Sequence, residues 1–383
     1  MASLPNLPDG VIIDILSRLP PESLLRFKCV RKSWYALFND PKFKAKHFST
    51  SLQHKHILLK RLVTKHSGNK ENIFSLFKLP LSIHPSLSLS DIDLPFHEDF
   101  RFFEIRGHSH GLLCLTDLRK DIFLCNPSTR EFHKLPPSIL LLTEPPVEPD
   151  DYDSSTNAVG FGYDSKSRDF KVVRVVDFVE GPGYFYPPRV EVYDLSKDRW
   201  REIESPVCGH VFWAPCFEMF HEGTYYWWAM TGNTEGNTEI IQTFDMSEEV
   251  FGRIPVPESF EGTGDRYRSL GVLDGCIVLF HYPSRGDERS FDMWEMAKDE
   301  WGGVSWSKVL TIGPVCGIEK PLLFVSCEEL LMEGNGGQVI VYNIKSGEVK
   351  EVPIKGDPAK FQGTAFVKSL VSVKGGNNIN YEF

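Results

Sequence analysis

The sequence of 383 residues is short of the features that announce chemistry. Its eight cysteines (Cys29, Cys114, Cys125, Cys208, Cys216, Cys276, Cys316 and Cys327) include no C-x-x-C pair, which argues against a zinc site. Most of them sit in apolar runs, as buried thiols do. No apolar run approaches about 18 residues, so no membrane-spanning helix and no membrane partner are expected. Met1 to Pro8 lacks the basic-then-apolar plan of a secretory leader, and no N-x-S/T sequon is present. A reduced compartment, cytoplasmic or also nuclear, is the expectation. There is no phosphate-binding loop and no G-x-G-x-x-G opening a helix. No cofactor and no metal are expected.

Basic residues are in deficit, 42 against 52 acidic ones, and unevenly so. Residues 1–60 carry ten Lys/Arg and four Asp/Glu, net +6, which leaves 32 against 48, net −16, for the rest. The acidic body would repel phosphate, so nucleic acid is excluded as its partner, whereas a basic protein would be attracted.

What is abundant is aromatic residues, 13%, with 30 Gly and 26 Pro, the composition of many strands joined by tight turns. The length suggests about two domains. At the N-terminus the pattern is helical. Asp9 is placed to cap a helix carrying Val11, Ile12, Ile15, Leu16 and Leu19. Pro20-Pro21 stops it, and Pro21 can open a second helix with Leu24, Leu25 and Phe27. A third holds Trp34, Leu37 and Phe38 and ends at Asn39-Asp40-Pro41. Three short helices bury little surface alone and would gain by burying an apolar face in a partner.

Leu7-Pro8, Ile12, Ile15-Leu16, Arg18-Leu19-Pro20, Leu24, Arg26-Phe27, Val30, Lys32 to Trp34 and Leu37 together resemble an F-box. The resemblance implies docking on the Skp-type adaptor of a cullin ubiquitin ligase, and through it on cullin and RING subunits. It assigns the contacts to Leu7, Pro8, Ile12, Leu16, Leu19 and Pro20, and internal packing to Trp34. Gly10 departs from the acidic residue common in the family and should fray the first turn. The plainer alternative is a generic three-helix head around a buried Trp.

From residue 55 the sequence repeats. Apolar triplets centred on residues 58, 113, 172, 225, 277 and 330 recur at steps of 55, 59, 53, 52 and 53. A second motif follows each, an apolar or aromatic run leading into a polar turn such as Asn126-Pro127-Ser128-Thr129 or Asp194-Leu195-Ser196-Lys197-Asp198. Its positions 74, 125, 193, 244, 294 and 342 step by 51, 68, 51, 50 and 48. The turn chemistry marks hairpins. A period near 50 is that of kelch-like propellers with four strands per blade, so six copies predict a β-propeller of about six blades. The segment from Ala365 through Val373 is expected to add a strand to the first blade and close the ring. A stacked β-sandwich of similar strand count would leave the period unexplained.

The body also has a family likeness. Ala158 to Asp164, Asp169 to Arg174, Leu124 to Arg130 and Ser305 to Lys308 are similar to the plant F-box-associated domain, and within it to S-locus F-box and S-locus F-box-like proteins. The expected organisation is mainly β with a small all-α head: a three-helix F-box at 4–45, a kelch-like β-propeller at 46–375 and a flexible tail at 376–383.

Three loops interrupt the repeat. One carries Asp150, Asp151 and Asp153; one, Tyr184, Phe185 and Tyr186 among prolines and glycines; a third spans Thr231 to Glu239. Loops on a rigid scaffold commonly carry recognition. The three tyrosine and phenylalanine rings are expected as anchors, and the three aspartates as attractors of a basic partner; the bland reading is solvated decoration. Resemblance to S-locus proteins makes the target a basic style ribonuclease taken up by the pollen tube. A defence or hormone-signalling target is the alternative. A propeller hydrolase acting from the central channel is a third reading. Gly107-His108-Ser109-His110-Gly111 matches G-x-S-x-G, but a nucleophile elbow joins a strand to a helix, and here a strand is expected to follow. His54/His56 and His108/His110 lack further ligands nearby and read as ordinary histidines. No catalytic residue is assigned.

Overall fold

The computed structural model of the chain describes residues 7–65, 68–78, 90–92, 103–117, 120–141, 152–180, 184–185, 187–211, 219–233, 236–260, 266–299 and 302–374. Four helices form the head: α1 (Asp9–Ser17), α2 (Pro21–Phe27), α3 (Lys32–Asn39) and α4 (Pro41–Ser51). Leu16, Leu24, Phe38 and Phe43 make its core, with Ile12, Leu19, Phe27, Trp34 and Leu37 packed around them. The Trp34 ring lies 5.7 Å from that of Phe27 and 6.4 Å from that of Phe38.

Two local expectations are corrected. Asp9 occupies the first turn of α1 rather than its cap, which is Pro8, and makes no capping hydrogen bond. Asn39-Asp40-Pro41 ends α3 but also starts the fourth helix. The Asp40 carboxylate accepts from Lys42 N at 2.7 Å and Phe43 N at 3.2 Å, and Pro41 needs no partner in the first turn. α4 therefore runs across the expected boundary at residue 45.

Six antiparallel sheets follow. The first comprises β1 (His56–Thr64), β2 (Lys70–Lys78) and β3 (Ser90–Ile92). The second has β4 (Phe103–Ser109), β5 (Leu112–Asp117), β6 (Ile122–Asn126) and β7 (Glu131–Lys134). The third has β8 (Tyr152–Asp164), β9 (Asp169–Glu180), β10 (Tyr184–Phe185), β11 (Arg189–Asp194) and β12 (Arg199–Ile203), with β10 paired to the far end of β9. The fourth has β13 (His210–Val211), β14 (Met219–His221), β15 (Thr224–Asn233), β16 (Gly236–Asp245) and β17 (Val250–Pro255). The fifth has β18 (Arg266–Leu273), β19 (Cys276–Pro283), β20 (Glu288–Lys298) and β21 (Val304–Cys316). The sixth has β22 (Ile318–Phe324), β23 (Glu329–Gly334), β24 (Gln338–Asn343) and β25 (Val349–Lys355). The last strand, β26 (Gln362–Phe366), returns to the first sheet and pairs with β1, Phe366 opposite His56. This closes a six-bladed propeller, and the triplet register proves to be the second strand of every blade and the turn register the third.

Contacts between neighbouring blades run through β26, β4, β8, β14, β18 and β22, which therefore line the central channel. Each of the six large cores is shared by two successive blades. Leu112, Cys114 and Leu124 of the second blade pack with Val159, Phe161 and Val172 of the third, for example. The turn motif has a common mechanism. Asn126, Asp245 and Asn343 each accept from backbone N–H groups two and three residues on, at 2.8–3.4 Å. The fourth residue after each (Arg130, Glu249, Gly347) turns the chain with φ of 57°, 58° and 70°. The Gly160-Phe161-Gly162 stretch of β8 has an equally local cause. A Cβ at Gly162 would lie 2.3 Å from the Phe220 ring and one at Gly160 2.7 Å from Trp227, so the fourth blade's aromatics lie directly on bare backbone.

Candidate functional site

Beyond Phe366 the chain does not continue as a strand. Residues 367–373 run as an extended strap between head and propeller. Leu370 enters the core of the head, while Val371 and Val373 enter the core between the second and third blades. The wholly buried Asn126 holds this strap, donating to Val371 O at 2.7 Å and Ser369 O at 3.2 Å, and the Glu131 carboxylate accepts from Val373 N at 3.0 Å. Gly111 lies so close beneath that a Cβ there would sit 2.6 Å from Val367 O.

α4 completes the joint. Phe48 stacks on the His110 ring at 5.0 Å, and Ala45 packs against the core of the second and third blades. His110 and Gly111, with φ of 51° and 81°, form the tight turn between β4 and β5. The G-x-S-x-G match is thus a hairpin, not a strand-to-helix elbow. Burial among Phe48, Tyr163 and Phe170 pushes the His110 imidazole down to about 3, with His108 contributing repulsion. The neutral ring acts as an interdomain packing group.

The head exposes several large apolar side chains. Val11 and Ile15 are 44% and 48% exposed, four residues apart on one side of α1, and Leu7, just before the helix, is 55% exposed. Val30 and Tyr35 add exposed apolar surface to the same small domain. The six expected adaptor contacts divide against this pattern. Leu7, Pro8 and Pro20 are exposed and Ile12 and Leu19 half-buried, whereas Leu16 is 4% exposed and belongs to the head's own core. Its side chain faces away from solvent because α1 turns Ile12 and Leu16 inward, where Leu19, just past the helix, joins them. Val11 and Ile15 were not assigned from the sequence, although splitting α1 into two faces at spacings of three and four would have found them.

Of the expected target-binding residues, Asp150, Asp151 and Tyr186 lie outside the described residues. Asp153 falls on β8, and Tyr184 and Phe185 make β10, paired through the backbone to Glu180 and Val179. The Thr231 to Glu239 loop is the tip of the β15–β16 hairpin, where Thr231 pairs with Thr238. Among the described residues no group of three or more His, Cys, Asp or Glu side chains is placed to hold a metal, and no helix is long and apolar enough to cross a membrane.

Residues 4–46 match the F-box domain, and residues 69–373 match the F-box associated beta propeller domain. The chain belongs to the F-box proteins with an associated β-propeller. Plant proteins are among its relatives. The F-box protein CPR1 of Arabidopsis thaliana is 30% identical, over 98% of this chain and 92% of the relative. An F-box/kelch-repeat protein of the same plant is 28% identical over 91% of this chain and 90% of its own length. Another F-box protein from it is 29% identical, with coverages of 95% and 97%. An F-box implies binding of a Skp adaptor within a Skp–cullin–F-box assembly, and F-box proteins are generally the receptors of that assembly rather than its catalysts.

Proposed function

We propose that this chain is the target receptor of a Skp–cullin–F-box ubiquitin ligase, working in the cytoplasm or nucleus, and that it performs no bond-making step itself. The observation that carries this reading is the exposed apolar set Leu7, Val11 and Ile15 on a head that is fastened to a closed propeller. The adaptor covers this set, and the propeller holds the target at a fixed distance from the conjugating enzyme. The gain is local concentration. Co-expression with a plant Skp adaptor tests it. The Val11→Asp/Ile15→Asp variant should lose adaptor capture at least about tenfold, as expected when a hot-spot pair is charged, while its melting temperature stays near that of the parent. Val250→Asp, at an equally exposed position of the propeller, should keep capture. Undiminished capture by the doubly charged variant would remove the reading.

The target proposed is a basic protein, and more narrowly a style ribonuclease as for S-locus F-box proteins. Support comes from the net charge of −16 beyond residue 60 and from the resemblance of the body to that group. A pull-down on style ribonucleases should weaken when Asp150, Asp151 and Asp153 are reversed to lysine, and the more so at low salt. Proximity labelling in the native tissue distinguishes this target from one in defence or hormone signalling.

A further inference from the structure

The inner strands of the blades enclose a cavity. β4 packs tightly against the third and fourth blades: a Cβ at Gly107 would lie 3.2 Å from both Phe161 of β8 and Tyr225 of β15. A cavity of about 550 Å³ opens among β4, β14, β18, β22 and β26, within the range of sites for small organic ligands. Phe220, Leu270, Phe280 and Leu322 give it apolar walls, and its charged lining residues are Lys60, Glu104, Arg106, Lys320 and Lys360.

Two of the cations are matched. Arg106 forms an ion pair with Glu104 at 2.6 Å and donates to Thr116 Oγ1 at 3.0 Å. Lys320 lies 3.5 Å from Glu333 and donates to Phe361 O at 3.1 Å. Lys60 is different. It follows the wholly buried Ile57-Leu58-Leu59 on β1, is itself only 7% exposed, and stands opposite Gln362 on β26. Among the described residues its ammonium has no hydrogen-bond or ion-pair partner. Lys360, exposed nearby, has none among them either. An ammonium on a largely buried side chain, with Glu104 as the carboxylate acting on it and that carboxylate already paired with Arg106, is costly, and the ordinary residue here would be apolar. Burial, reinforced by Lys320, Lys360 and Arg106 and opposed by Glu104, brings Lys60 down to about 8.

We propose that this cavity is a binding site for a small organic anion, whose carboxylate or phosphate accepts hydrogen bonds from the Lys60 ammonium while its apolar body lies along Phe220, Leu270, Phe280 and Leu322. The site belongs to the propeller alone and does not depend on what the head binds.

The test uses the full chain and the fluorescent anion 1-anilinonaphthalene-8-sulfonate, displaced by octanoate, octyl phosphate or octanol. Octanoate or octyl phosphate should displace the dye at least about tenfold better than octanol, since a charge-assisted hydrogen bond is gained; which of the two wins identifies the headgroup. Lys60→Met should bind the anions no better than octanol. The same variant, without ligand, should melt at a higher temperature than the parent, because the cost of burying the charge is gone. Equal displacement by octanol, octanoate affinity retained in Lys60→Met, or a lower melting temperature for that variant would each overturn the proposal.

Discussion

At the scale of single residues, Asn126 carries more than its size suggests. Its amide oxygen builds the β6–β7 turn and its amide nitrogen ties the strap, all in a fully buried position. Asn126→Leu orphans backbone groups on both sides at once. The expected loss is about 2–4 kcal/mol in urea unfolding of the full chain, the sum of two to three buried unsatisfied groups. A loss below about 0.5 kcal/mol would show the strap to be held by apolar burial alone. Neighbouring positions in α1 separate two roles in the same way. Leu16→Ala should lower the stability of the head by about 2–4 kcal/mol as a core cavity does, whereas Ile15→Ala should cost little stability and act on adaptor capture. The F-box resemblance named Leu16 as a contact, but a motif marks which positions are apolar and not which way each one faces.

At the scale of elements, the strands were the most legible part of the sequence. Each blade contributes one apolar second strand and one turn-ended third strand, so the period of about 50 residues repeats a local physical requirement. Less legible were α4 and the strap. The Asp40-Pro41 pair both ends and begins a helix, and only the neighbours of α4 decide that it continues. Residues 367–373 are apolar like a strand, yet their partners are Asn126 and Glu131 side chains and the head's core, contacts made across more than 240 residues. Ring closure by β26 followed the expectation; the remaining residues of that segment became a strap. Ending the chain after Phe366 should therefore leave a cooperatively unfolding propeller but speed amide exchange in α4 by about tenfold or more, as docking contacts are lost. Ending it after Asp357 should remove β26 as well and yield insoluble protein, since β1 becomes an unpaired inner edge. Unchanged exchange in α4 after the shorter deletion would mean that Phe48 and Ala45 suffice to seat the head.

At the scale of the whole molecule, the six cores lie between blades, so no blade is stable without its neighbours and stability is shared around the ring. Burial of neutral imidazoles makes this stability sensitive to acid. His108 is brought down to about 4, His110 to about 3 and His281 to about 4, in each case by burial first. His110 is pushed further by His108, and His281 by Arg266 and Arg268. Each native pKa lies below the ordinary histidine value near 6.5. Between about pH 6.5 and 4 the unfolded chain therefore binds more protons than the native one, and stability is complete above that window and lost as pH falls through it. The melting temperature should be nearly flat from pH 8 to 7 and fall steeply from 6.5 to 5; a flat profile down to pH 5 would show these imidazoles to be solvated.

The sequence by itself determined the two-part organisation, the number of blades, the turn chemistry and the F-box, because each rests on patterns a few residues long, repeated or densely specified. The tertiary structure alone decided which side of α1 is spent on the head's own core, that a C-terminal strap bolts head to ring, and that Lys60 lines a cavity with no hydrogen-bond or ion-pair partner among the described residues. Those facts depend on which distant segments meet, and a residue's type and spacing do not encode the direction of its side chain relative to a partner hundreds of residues away.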